Sequence, residues 1–131
     1  MNAFAGAARQ YQSVAVDARV EQASPRKLIG LLLNGAAQKL AEARGCIERG
    51  DIAGRGAALS RVLAILGELR ASLDFEAGGD IARQLEALYD YLSRRVLLAG
   101  SRSDLTGLGE VGDLLAEIRV AWQDMPVPAD S

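Results

Sequence analysis

Histidine is absent from the 131 residues of this chain, and that one absence removes whole classes of chemistry. Ser-His-Asp and Cys-His nucleophilic sites need an imidazole base. Zinc and di-iron sites in helical proteins are usually built on Glu-x-x-His or His-x-x-x-His spacings. Neither can be written here. Cysteine is down to one residue, Cys46, so no internal disulfide can form, and a lone thiol fits a reducing compartment. Proline occurs only at Pro25, Pro126 and Pro128, which leaves the chain between them free to be helical. Long apolar runs are missing too. Leu31–Leu33 and Val96–Ala99 fall far short of the ~18–20 residues of a membrane span, so no membrane insertion is expected. Positive charge is not in excess: the net charge is −2, and basic runs such as Arg94-Arg95 are no longer than two residues, which is no nucleic-acid footprint. The first residues show no basic stretch followed by an apolar one, so no signal peptide is expected and the cytoplasm is the expected compartment.

What is present is helix-forming. Half the residues are hydrophobic and 24% are charged, which suits one domain with a continuous core. Four segments carry apolar residues at helical spacing. In the first, Ser24 is a candidate cap, Pro25 suits the first helical position, the stripe runs Ile29, Leu32, Ala36, Leu40, Ala43, Ile47, and Gly50 ends it. The second opens after Asp51 and carries Leu59, Val62, Leu66, Leu69, Leu73, a heptad seam. Gly78-Gly79 reads as a turn, with Asp80 capping a third helix striped by Ile81, Leu85, Leu88, Leu92 and Val96 and closed by Gly100. Ser103 or Asp104 caps the fourth, striped by Leu108, Val111, Leu115, Ile118 and Trp122. Short connections between amphipathic helices imply antiparallel neighbours. The expected fold is all-α: an antiparallel up-down-up-down four-helix bundle over residues 24–124, with a partly ordered N-terminal arm over 1–23 and a flexible C-terminal tail over 125–131.

Several features could carry chemistry. Gly107-Leu-Gly109-Glu-Val-Gly112 fits the dinucleotide fingerprint, but that motif needs a strand turning into a helix, and a polar stretch precedes it here. It reads as a chance match. Cys46 has no base and reads as a structural thiol. Glu68, Asp74, Glu76 and Asp80 read as caps and solvated acids. The expectation is therefore no catalytic residue, no metal and no cofactor. The aromatic residues say more. On a wheel with Ile81 at zero the third stripe centres at about 10°, with Tyr89 at about +80°, Tyr91 at about −80°, Leu98 at about −100° and Leu97 at about 160°. Leu31 and Leu33 sit beside the first stripe in the same way. Such residues either widen the packing at helix edges or line apolar grooves that receive a partner. Composition and period leave both open.

Three stretches carry a resemblance. Ala23-Ser-Pro-Arg-Lys-Leu-Ile29 running to Asn34-Gly35-Ala36 is similar to the "ASP-x-KLI…DGA" opening of the first long helix in FliS flagellar chaperones. Ala71-Ser-Leu-Asp74 to Gly78-Gly79-Asp80-Ile81-Ala82 resembles that family's "SLD…GG-E/D-IA" turn. Leu85-Glu-Ala-Leu-Tyr-Asp-Tyr-Leu92 with Arg94-Arg95 resembles its "L-x-ALYDY-x-x-RR" third helix. Order and spacing match over roughly residues 11–123. Leu33-Asn34 stands where the family usually has Tyr-Asp, and Glu86 where it has an aromatic.

The resemblance implies a helical bundle with an N-terminal arm whose client is the C-terminal segment of flagellin, disordered in the monomer and helical in the filament. Masking that segment would prevent premature polymerisation, and the complex would be presented to the export gate of the flagellar type III apparatus. From the resemblance and the off-stripe residues together, the expected flagellin groove comprises Leu31, Leu33, Leu88, Tyr89, Tyr91 and Leu98, with Tyr11 of the arm lying over part of it. The alternative use of the same rows is a homomeric interface, a weak homodimer.

Overall fold

The computed structural model describes residues 24–124; the arm expected over residues 1–23, with its Tyr11, and the tail expected over 125–131 lie outside the described residues. Four helices form: α1 (Pro25–Arg49), α2 (Ile52–Ala71), α3 (Phe75–Ser101) and α4 (Leu105–Asp124). No strand occurs among the described residues.

Local chemistry sets the helix ends. Ser24 Oγ accepts the Lys27 N–H at 3.3 Å, and Pro25 occupies the first position, where its missing N–H is not needed. At the far end Gly50 takes a left-handed backbone (φ 74°), which L side chains avoid. Its N–H donates to the Ile47 carbonyl while the Asp51 N–H donates to the Cys46 carbonyl, a Schellman closure. Asp51 also caps α2, its carboxylate accepting the Gly54 N–H at 2.9 Å.

The α3–α4 hairpin repeats the device. The N–H groups of Ser103 and Asp104 donate to the carbonyls of Gly100 and Ala99, and Asp104 Oδ1 accepts the Gly107 N–H at 3.0 Å. The left-handed residue here is Ser103 (φ 50°), held through its hydroxyl by Arg55 Nη1 of α2 at 2.6 Å. One aspartate in each hairpin thus ends one helix and starts the next.

Two expected boundaries of α3 are corrected. The helix begins after Asp74, whose Oδ1 accepts the N–H groups of both Glu76 and Ala77 at 3.0 Å. Asp80 is not the cap; it pairs instead with Arg83 at 2.9 Å. Gly79 (φ 51°, ψ −123°) is non-helical and divides α3 into two helical segments joined by a kink, in a conformation open essentially to glycine; the turn expected at Gly78-Gly79 is this kink. Gly100 does not close α3 either. It is buried inside the helix, where an added Cβ would lie 2.6 Å from Leu59 Cδ1 of α2.

Connections of two or three residues reverse the chain each time. α1 packs on α2 and α4, and α3 on the same two helices, so the four close into a ring. The core holds Leu32, Leu40, Leu66, Leu92, Leu108 and Leu115, all almost wholly buried. Each such leucine contributes about 1.5–3 kcal/mol by leaving water. Among the described residues no polar or charged residue is buried in that core. A reciprocal clamp joins α1 to α4 at one end: Trp122 Nε1 donates to the Arg26 carbonyl at 3.1 Å, and Arg26 Nη2 donates to the Trp122 carbonyl at 3.0 Å. The guanidinium carbon also lies 5.7 Å from the indole centroid, within cation–π range.

The helix-interior glycines divide by what surrounds them. A Cβ at Gly107 would sit 2.9 Å from Ala99 Cβ, which cannot rotate away, whereas one at Gly67 would meet nothing within 4 Å. Gly107→Ala is expected to destabilise the bundle by about 1–3 kcal/mol through overpacking. Gly67→Ala is expected to stabilise it by about 0.5–1 kcal/mol through helix propensity. Urea unfolding followed by circular dichroism reads both, and equal effects of the same sign would contradict the close α3–α4 approach.

Candidate functional site

The site is built on α3, which carries more apolar surface than its core contacts cover. Its buried residues, Ala82, Tyr89, Leu92, Val96, Ala99 and Gly100, centre at about +60° on the wheel that puts Ile81 at zero. The core axis is therefore turned by about 50° from the stripe read in the sequence. That rotation moves Tyr89 into the core, where it is 4% exposed, and burial pushes its phenol up to about 12. The expectation that Tyr89 flanks the core is corrected. Leu33 is corrected in the same way: it is 1% exposed, because α1 packs against two neighbours and its buried arc is broad. Ile81, expected in the core stripe, is 68% exposed. It stands two residues after the kink at Gly79, about 60° from the centre of the buried face of α3.

The same rotation carries Tyr91 and Leu98 further from the core, and each is 43% exposed. With Ile81, Gln84, Leu88 and Arg95 they form a second row that steps by three and four residues along α3. Leu88 is half-buried and packs against the core from that side. Two contacts show which neighbour the row faces. Arg95 Nη2 donates to Glu110 Oε2 of α4 at 2.8 Å, and Ala99 approaches Gly107 of α4. The antiparallel register they set places Tyr91 level with half-buried Leu114 on α4. Leu88, Tyr91 and Leu98 thus share the α3–α4 flank. Leu31 does not join them. It is half-buried on the α2 side of α1, the side from which Cys46 approaches Gly54, across the bundle from that flank.

The sequence reading missed Leu114, Glu110 and Arg95. The row spacing at 81, 84, 88, 91, 95 and 98 was the available signal, a second seam beside the first. The flank is apolar with one charged crossing. Arg95 keeps 28% of its side chain exposed, yet its Nε is covered and has no hydrogen-bond partner. A covered donor left unpaired costs about 1–3 kcal/mol. Leu97, also exposed, lies on the opposite flank beside α2.

The other singled-out features have structural places. Cys46 is buried and accepts from Arg49 Nη2 at 3.6 Å. The glycine-rich stretch at 107–112 lies inside α4. Glu68 is half-buried, with Oε2 covered and unpaired, and burial raises its carboxyl above the usual value. No helix among the described residues is long and apolar enough to cross a membrane.

The chain matches the family model described as "Flagellar protein FliS" over residues 7–128. It is 42% identical over 118 residues to the flagellar secretion chaperone FliS of Salmonella typhimurium, covering 89% of this chain and 87% of that protein. The flagellar secretion chaperone FliSB of Pseudomonas aeruginosa is 40% identical over 116 residues, 88% and 92% of the two chains. FliS of Vibrio cholerae is 34% identical over 121 residues, 92% and 89%.

Two outcomes follow from the burial. Tyr89→Ala is expected to cost about 3–5 kcal/mol of stability as a large-to-small core change, while Tyr91→Ala on the same helix costs under about 1 kcal/mol; denaturant midpoints separate them. For Glu68 the folded-state pKa is raised, so its contribution is most favourable below the unfolded value of 4.5 and is lost as pH rises through the folded value. Glu68→Gln should therefore unfold at higher denaturant than the parent at pH 7, and the gap should vanish near pH 4; a gap that does not change with pH would contradict the desolvation of this half-buried carboxylate.

Proposed function

The chain belongs to the FliS family of flagellar secretion chaperones, and from that premise we propose that it binds the C-terminal segment of flagellin in the cytoplasm, prevents its premature polymerisation and delivers it to the flagellar type III export gate. The role is non-catalytic and uses no cofactor. The observation that carries the reading is the second row of α3: a bundle whose core is already filled keeps Tyr91 and Leu98 exposed beside Leu88 and Leu114.

A disordered client loses chain entropy when it orders, and only a long apolar footprint offsets that loss. The α3–α4 flank supplies one stretch of such a footprint, in the helix-in-groove mode of recognition. Leu31 and the exposed Leu97 lie on other flanks, which suits a segment long enough to wrap the bundle. Protection then follows mass action. Free chaperone at about 100 times its Kd stabilises the bound client by about 2.7 kcal/mol. Release at the gate is competition for the segment and needs no nucleotide.

Titration calorimetry with the C-terminal ~50 residues of the cognate flagellin, a length able to span several grooves, tests the proposal. Near 1:1 binding with a negative heat-capacity change is expected. Tyr91→Ala and Leu98→Ala should each weaken it by about tenfold, as truncations of exposed anchors do, with the helical content unchanged. A folded bundle that binds no flagellin, and self-associates instead, would replace the chaperone reading with that of a homodimer interface.

A further inference from the structure

Among the six residues of the outer α3 row, Arg95 alone is charged. It stands between Tyr91 and Leu98, in the middle of the apolar flank, where a docked segment would pass. Its guanidinium is held by one bond, from Nη2 to Glu110 Oε2 at 2.8 Å, and Glu110 itself is well exposed. Beside Nη2 on the same edge of the fork, Nε is covered and makes no hydrogen bond. A guanidinium presents five N–H donors in a fixed planar fork, and its Nε–Nη edge matches a carboxylate with two parallel bonds. In this structure that edge is half used: Nη2 donates to Glu110 and Nε to nothing.

We propose that Arg95 is a specificity-determining residue that pairs with a carboxylate of the bound segment. The inference rests on the flagellin-binding reading above. The partner class is an amphipathic helical segment whose apolar face is interrupted by one Asp or Glu, three or four residues from the apolar side chains that seat beside Tyr91 and Leu98. While the flank is empty, Glu110 holds the guanidinium flat across the α3–α4 seam with Nε covered. An arriving carboxylate draws the fork outward, Nη2 turns from the exposed Glu110, and Nε and Nη2 then donate to it side-on. A desolvated pair of this kind adds geometric selectivity that an apolar groove alone lacks. A segment with Leu or Lys at that place leaves a charge uncovered or opposed, and is rejected.

The test is calorimetry of the full chain with the flagellin C-terminal segment in low and high salt, comparing the parent with Arg95→Met and Arg95→Lys. Arg95→Met keeps the aliphatic stem and should weaken binding at least tenfold, with loss of most of the salt dependence. Arg95→Lys keeps the charge without the fork and should fall between them. Changing each Asp and Glu of the segment to its amide should reveal one position that weakens the parent complex equally and has no further effect on Arg95→Met, the signature of a coupled pair. Parent and Arg95→Met binding the segment with equal affinity would overturn the inference and leave the chaperone reading standing. A folded parent that binds no flagellin segment would remove the chaperone reading itself, and this inference with it.

Discussion

A four-helix ring can bury only one arc of each helix, and α3 carries more apolar surface than one arc. Packing against α2 and α4 consumes the side of α3 that holds Tyr89, Leu92 and Val96. Turning the helix to cover Tyr91 and Leu98 would uncover those three in exchange. The bundle therefore cannot fold without leaving an apolar row in water, and the proposed function depends on that surplus. Each exposed large side chain withholds up to about 1.5–3 kcal/mol of burial from the fold. A partner that covers the row recovers it.

The rest of the fold offsets that deficit by close approach. Ala99, Gly100 and Gly107 bring α3, α2 and α4 together at the hairpin end, where added methyl groups would collide with Ala99 or Leu59. Helix propensity argues against so many glycines in helix interiors; contact wins because each one lets a neighbouring helix move inward. The Arg26–Trp122 clamp closes the ring at one end with two hydrogen bonds to main-chain carbonyls. With no polar residue buried in the described core, specificity of the packed state comes from shape, and the few ion pairs lie on exposed surface, where each contributes little. Arg95–Glu110 differs by leaving a covered donor unpaired.

A chaperone for an export substrate must hold its client without locking it. Under the proposed function, a preformed bundle with apolar flanks meets that need, since the ordering cost would fall on the client. The Schellman closures of α1 and α3 satisfy their terminal carbonyls within the chain itself.

Much of this was legible in the residues. Ser24 with Pro25, Gly50 and Asp51 marked helix ends where the structure has them, and of the pair Ser103 and Asp104 the structure uses Asp104, because caps are local chemistry. The stripes located the four helices and the ring they form, and they already put Tyr91 and Leu98 off the core. Asp80 was read as the cap of α3, but a further helical segment capped by Asp74 precedes it, joined through the kink at Gly79. Tyr89, Leu33 and Ile81 were misplaced for another reason. A wheel reports each side chain's azimuth on its own helix, but the direction of the core is set by where two neighbours press, and those contacts are tertiary. The sequence by itself determined which segments are helices and that apolar residues exceed one core; only the assembled ring decided which of them remain at the surface.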